Sequence, residues 1–285
     1  MSTQVTLLVN CHDRTGIVAA LSDLVARSNG NILDADQHSE EESGLFFMRM
    51  QWVLDTDTLD ASGLRQALDA LAERFGLHYE LHVHDAPTRV AIFCSTAPHC
   101  VYDLLLKERM GEFAPHVMAC VISNHPQWQD VCDHFRLPFY HVSVNAENKA
   151  AAEARQREIL AAEDIDLIVL ARYMQILSPE LVAEWKGRII NIHHSFLPAF
   201  VGARPYHQAK DRGVKIIGAT AHYVTAELDQ GPIIEQDVTR VTHRDEVSDL
   251  VRKGRDLERQ VLSRAVGLHL DRRVLECNNR TIIFR

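Results

Sequence analysis

Three side chains in the last third of the chain have the types and spacing that acyl transfer needs: Asn191, His193 and Asp229. Residues two apart in an extended strand project to the same side. Asn191 and His193 therefore leave the end of the apolar run RIINIHHS together. Asp229 lies in the short connection AELDQG, beside Gly231 and Pro232. A side-chain amide can hold a carbonyl oxygen and stabilise it as it becomes an oxyanion. An imidazole can donate to the same oxygen or move protons. A carboxylate can orient and deprotonate a water, then pass the proton to a leaving nitrogen. No serine or cysteine nucleophile is required. Spacing alone also fits a plainer reading, because buried His and Asn residues commonly satisfy neighbours and a loop Asp near Gly is a common turn residue.

The elements around these residues are those of an α/β domain. RVAIFCS, HVMACVIS, PFYHVS, DLIVLARY and RIINIHHS read as strands, and helical segments separate them. Ser178 and Pro179 are an N-cap and first-turn pair for SPELVAEWKG. This alternation predicts a Rossmann-like, mainly parallel sheet covered by helices. In such sheets ligands bind outside the carboxyl ends of the strands, where Asn191 and His193 fall. The runs VKIIGATAHYVT and PIIEQDVTRV then form a strand–loop–strand unit, and a helix is predicted from Asp245 to Leu268. Asp229 reaches the same crevice if that unit neighbours RIINIHHS.

The first part of the chain reads strand, helix, strand, strand, helix, strand, the split βαβ pattern of a ferredoxin-like α+β domain. Gly30 is expected to end the first helix in a left-handed turn. The polar linker His84–Pro87 marks a border, giving domains at 1–86 and 87–285. The loop Cys11-His12-Asp13-Arg14-Thr15-Gly16-Ile17-Val18, with Asn29-Gly30-Asn31-Ile32, resembles an ACT domain. That resemblance implies an amino-acid effector held around Asp13, Gly16, Ile17, Asn31 and Ile32, and a homo-oligomer, dimer or tetramer. The plainer alternative is that Gly16 and Gly30 only shape turns.

Residues 88 to about 270 resemble the folate-dependent formyltransferases. The family pattern is met by Asn191 and His193, then Ser195, Leu197 and Pro198, then Gly218, Thr220 and His222, and finally Asp229, Gly231 and Pro232. The resemblance implies a catalytic set of Asn191, His193 and Asp229. It also implies a folate site at Met174, Gln175, Ile176 and Leu177, closed by His222, Ala226, Glu227 and Leu228. Three chemistries are open to such a fold: formyl transfer to glycinamide ribonucleotide, formyl transfer to methionyl-tRNA, or hydrolysis of 10-formyltetrahydrofolate to formate and tetrahydrofolate. The stretch Cys94–Cys100 contains no glycine, and Pro98 lacks an N–H, so it is poorly built to cradle a phosphate. No basic C-terminal domain for tRNA is evident. The ACT-like domain, His194 and the run Arg204–Ala209 resemble the hydrolytic branch of the family. Hydrolysis, supplying formate for purine biosynthesis, is therefore expected. A transferase acting on glycinamide ribonucleotide or another amine is the alternative.

Composition agrees with a soluble enzyme. Apolar residues make up 46% of the 285 and charged residues 24%, with no run near the ~20 apolar residues of a membrane helix. The absence of a signal-peptide pattern points to the cytoplasm, where the six scattered cysteines are expected to be reduced thiols. A net charge of −9 speaks against nucleic acid as a partner. The sixteen histidines raise the question of a metal, but no H-E-x-x-H or paired CxxC motif is present. His193 and His194, adjacent in a strand, are expected to point apart. No metal and no cofactor beyond the folate substrate are expected. The Ala/Glu/Arg-rich helix over 146–163 is expected to be solvated and amphipathic.

Overall fold

The computed structural model describes residues 2–55, 59–198 and 205–285. Its contacts divide the chain into two units, Met1–Pro87 together with Asp271–Arg285, and Thr88–Leu270.

In the first unit the strands are β1 (Ser2–His12), β2 (Asn31–Glu40), β3 (Leu45–Asp55) and β4 (His78–Val83), with helices α1 (Ile17–Arg27) and α2 (Ala61–Phe75). They form an antiparallel sheet in the order β2-β3-β1-β4. Alternation sorts its two faces. Val5, Leu7, Val9 and Cys11 with Met48, Met50 and Trp52 meet Ile17, Leu21, Leu64 and Leu68 of the helices in one core. The left-handed residue after α1 is Asn29 (φ 54°) and not the expected Gly30. Gly30 is needed for close approach instead, since a Cβ there would lie 2.8 Å from Val25 Cγ1 and 3.0 Å from Trp52 Cδ1.

The opposite face of the sheet is covered by the last residues of the chain. Strands β12 (Val274–Cys277) and β13 (Arg280–Ile283) form a hairpin. Leu275, Cys277 and Phe284 pack on Leu8 and Phe47. Arg49, only 2% exposed, donates to the carbonyls of Arg272 and Asp271 and to the Asp34 carboxylate. The expected domain 87–285 thus loses its last fifteen residues (271–285) to the N-terminal unit. The reason is the apolar pair Leu8 and Phe47, which alternation leaves on the side of the sheet away from the helices.

The second unit holds β5 (Arg89–Cys94), α3 (His99–Arg109), β6 (Val117–Ser123), α4 (Gln129–Phe135), β7 (Phe139–His141), α5 (Lys149–Ala162), β8 (Leu167–Ala171), α6 (Pro179–Glu184), β9 (Ile189–His193), α7 (Pro205–Asp211), β10 (Ile216–Tyr223), β11 (Ile233–Arg240) and α8 (Val247–Leu270). The sheet order is β11-β10-β9-β8-β5-β6-β7. The five strands β5 to β9 run parallel, and β10 and β11 add antiparallel strands at one side. The three inner parallel strands, β8, β5 and β6, are nearly wholly buried, as a sheet covered on both faces requires. Helix α5 is less solvated than its composition suggests, since it buries Glu153 and Gln156. Among the described residues no helix is long and apolar enough to cross a membrane.

Candidate active site

The carboxyl ends of β8 and β9, with the β10–β11 connection, enclose a cavity of about 620 Å³, within the range usual for small-molecule sites. Asn191, His193 and Asp229 all line it, and so do Met174, Gln175, Ile176, Leu177, His222, Ala226, Glu227 and Leu228. Each arrives by an identifiable local route.

Strand pairing sets the first group. On β10, Thr220 lies opposite His193 and His222 opposite Asn191. The Thr220 hydroxyl donates to the Ser195 carbonyl at 2.9 Å and accepts from Leu197 N–H at 3.1 Å and from the Gln236 amide at 2.9 Å. The chain leaving His193 is therefore fixed, which gives the Ser-x-Leu and Gly-x-Thr elements of the motif a structural role. Residues 199–204, including Arg204, lie outside the described residues.

The carboxylate depends on a sharp return of the chain. Tyr223 N–H donates to the Pro232 carbonyl, and a Cβ at Gly231 would fall 1.7 Å from the Tyr223 carbonyl oxygen. Only glycine fits that approach. Asp229 itself is left-handed (φ 57°), a region Asp tolerates better than most residues. Its Oδ2 lies 3.2 Å from His193 Nδ1 and its Oδ1 3.7 Å from His222 Nε2. The hydrogen bond from His193 above all holds the Asp229 carboxyl well below the usual carboxylate range.

His222, 2% exposed, is engaged by the protein itself. Its Nδ1 lies 2.8 Å from the Tyr223 carbonyl, which can only accept, so that nitrogen carries the proton. In the neutral ring Nε2 then accepts from the Asn191 amide nitrogen, 3.3 Å away. This fixes the direction of the amide and places His222 beneath the site as a support for Asn191. His193 differs, because its Nε2 is buried and has no hydrogen-bond partner among the described residues. An unsatisfied buried donor or acceptor costs about 1–3 kcal/mol, which a bound polar group would recover.

The loop 172–178 is held from three sides. Met174 N–H donates to Ser95 Oγ, the Tyr173 hydroxyl accepts from Gln156 Nε2, and Ser178 N–H donates to Glu153 Oε1. The buried polar residues of α5 thus have a purpose that the helix pattern did not reveal. Across the cavity, residues 226–228 are exposed. Met174, Ile176 and Leu228 are 61%, 64% and 60% exposed, so two apolar loop tips flank the opening, as a flat aromatic ligand would require.

The expected opposition of His193 and His194 does not hold. Their rings stack, with centroids 5.1 Å apart and planes at 21°. Strand β9 ends at His193, so alternation no longer governs the next residue. His194 also lines the cavity. Burial, followed by the charge of Arg172, pushes its pKa down to about 4, so it is neutral at neutral pH. Sequence reading also passed over Arg172 and Tyr206, which line the same cavity, and Glu258 behind them. Their sequence signal was only a charged residue ending an apolar strand and a lone acid in a long helix.

Among the described residues one group brings three metal-type side chains together, His99, Cys100 and Glu258. Glu258 is already bound by His99 at 2.7 Å, and Arg172 Nε lies 3.5 Å away. Burial raises the Cys100 thiol well above its ordinary pKa. A nearby guanidinium and a protonated thiol both oppose cation binding there.

The residues expected to hold an effector lie in the first unit. Asp13, Gly16, Asn31 and Ile32 are exposed, Gly16 with φ 98° before α1 and Asn31 and Ile32 on the edge strand β2. Ile17 is 2% exposed. Its side chain belongs to the core and is not open to a ligand.

Comparison with known proteins agrees with this architecture. Residues 88–266 match the formyl transferase family and residues 5–73 the ACT domain. The chain is 50% identical to a formyltetrahydrofolate deformylase of Synechocystis over 279 residues, 98% of both chains. The crystal structure of a formyltetrahydrofolate deformylase from Pseudomonas syringae pv. tomato superposes with a TM-score of 0.92 at 46% identity, covering 100% of this chain and 95% of that one. A glycinamide ribonucleotide transformylase from Symbiobacterium toebii is more distant, with a TM-score of 0.66 at 30% identity, covering 72% of this chain and 98% of that one. Two matched domains in this order and identity along nearly the whole length show that the chain belongs to the formyltetrahydrofolate deformylase family.

Proposed function

We propose that this protein hydrolyses 10-formyltetrahydrofolate to formate and tetrahydrofolate. The observation that carries the reading is one cavity where an oriented amide, an imidazole with a buried unpartnered nitrogen and an ionised carboxylate converge. Near-complete coverage of relatives named as deformylases supports it, whereas the transformylase neighbour covers 72% of the chain. In this reading the apolar tips of loops 172–178 and 226–228 clasp the folate ring. Asn191 and His193 Nε2 donate to the formyl oxygen. Asp229, whose depressed pKa keeps it unprotonated at working pH, takes a proton from water as the water oxygen bonds to the formyl carbon. The bond to N10 breaks, and the same proton passes to that nitrogen, an aryl amine that needs little assistance. The first unit would bind an amino-acid effector and pair the chain into a homo-oligomer. The protein would act in the cytoplasm without metal or further cofactor and return formate to purine synthesis.

The test is to incubate the protein with 10-formyltetrahydrofolate alone and assay formate and tetrahydrofolate. Release of both is expected. An Asp229→Asn variant should lose about 10²–10⁴-fold in kcat, the usual worth of a general base, with little change in KM. Formyl loss only after an amine acceptor is added would replace this reading by transfer.

A further inference from the structure

The reading of the site as a hydrolase leaves open what keeps amines out, since Asn191, His193 and Asp229 could serve any nucleophile. We propose that Arg172, His194 and Tyr206 form a wall at the nucleophile end of the cavity that admits water and excludes amine acceptors. This inference rests on the proposed hydrolysis.

The cavity has two kinds of lining. Loops 172–178 and 226–228 offer apolar tips at the opening. Next to the reacting groups the lining also holds Arg172, His194 and Tyr206. Arg172 follows β8 in the left-handed region (φ 61°), which glycine enters freely and residues with a Cβ disfavour. Strained backbone of this kind collects at functional sites. Here it aims a guanidinium into the corner. Arg172 Nε stands 3.5 Å from Glu258 Oε2, and its Nε and Nη1 are buried without a hydrogen-bond partner among the described residues.

Glu258 is 2% exposed. It takes His99 Nε2 at 2.7 Å on one oxygen and the Tyr206 hydroxyl at 2.8 Å on the other. Burial alone would raise its pKa, but the His99 hydrogen bond and the Arg172 charge hold it low. Both oxygens already hold a partner and the carboxylate is buried, so it is closed to an ammonium or a hydroxyl of an incoming acceptor.

Tyr206 is seated by α8. A Cβ at Gly254 would lie 1.9 Å from its hydroxyl oxygen, so the absence of a side chain there lets the ring enter. The His194 ring lies 6.2 Å from the Tyr206 ring and stacks on His193, covering the catalytic imidazole on that side. Arg172 and Tyr206 are anchored on one buried carboxylate and His194 lies against Tyr206, and the proposed wall is that these three leave room for a small nucleophile only. The Arg172 cation further disfavours a protonated amine.

The test reads a ratio, so it does not require the variants to keep full activity. Wild type, Arg172→Gly and Tyr206→Ala are each given 10-formyltetrahydrofolate with rising glycinamide. Formate and N-formylglycinamide are quantified. In transfer, the amine nitrogen bonds to the formyl carbon, the bond to N10 breaks, and an amine proton ends on N10. Wild type is expected to give formate at every glycinamide concentration. The variants are expected to divert at least tenfold more formyl to glycinamide, in proportion to its concentration. Arg172→Gly relieves a left-handed residue, so its backbone has no reason to misfold. Variants that turn over but yield formate in the wild-type share overturn the wall. So does loss of all turnover in both variants with folate binding retained, which would place Arg172 and Tyr206 in the chemistry itself. Wild type that makes no formate without glycinamide sinks the hydrolase reading and is a separate outcome.

Discussion

At the scale of single residues, the site contains two adjacent histidines with opposite tasks. His193 faces Asp229 and keeps a nitrogen for a ligand. His194, displaced to about 4 from 6.5 by burial and then by Arg172, stays neutral. The stability consequence has a definite sign. Between pH 6.5 and 4 the unfolded chain takes up a proton at this residue and the folded chain does not, so stability is full above 6.5 and declines as pH falls toward 4. Each unit of displacement is worth about 1.4 kcal/mol, so the decline attributable to this ring is on the order of 3 kcal/mol. Urea melts across that window should show it, and a His194→Gln variant should flatten that part of the profile. An equal slope in the variant would assign the decline to other groups. The types and spacing of Asn191, His193 and Asp229 were legible in the sequence because a strand repeats every two residues. His194 was not, because its orientation is set beyond the last residue of that strand. Arg172 was missed for a related reason, since nothing in ARYMQIL announces a left-handed backbone.

At the scale of elements, the proposed grip on the ligand falls to two loops. Met174 and Leu228 are largely exposed in the free protein and would be covered by a bound ring. Covering a side chain of that size is worth about 1–2 kcal/mol, so Met174→Ala and Leu228→Ala should each raise KM roughly 5- to 30-fold. kcat should change little, since neither residue reaches the reacting atoms. A fall in kcat with KM unchanged would contradict that assignment. Strand and helix order in this unit followed from hydrophobic period and caps, Ser178 Oγ accepting from Leu181 N–H as expected. The supports of the loops were not legible. Glu153 and Gln156 look like solvent-facing residues of an Ala-rich helix, and only tertiary packing shows that they hold Ser178 and Tyr173.

At the scale of the whole molecule, the tail is the main departure from the sequence reading. The hairpin had a signal, since Asn278 and Asn279 are both left-handed (φ 53° and 58°) between apolar runs, the residues a two-residue hairpin turn favours. What the sequence withheld was its destination, because only alternation along β1 and β3 reveals a second apolar face. Phe284, 2% exposed, is the largest side chain of that contact. Phe284→Ala should cost about 3–5 kcal/mol, and amide hydrogen exchange should speed up in residues 2–87 and 271–285 while 88–270 stays protected. Uniform loss of protection across both units would show that they unfold together.

The return of residues 271–285 also has a consequence for synthesis. The ribosome makes the sheet of β1 to β4 first and the strands that complete its second face last. Throughout translation of residues 88–270, Leu8 and Phe47 lack their partners, and Arg49 lacks the carbonyls of Asp271 and Arg272. A nascent chain arrested before that point would carry a half-covered sheet, an apolar surface open to chaperones and proteases, so that only chains translated through residues 271–285 present a closed N-terminal unit.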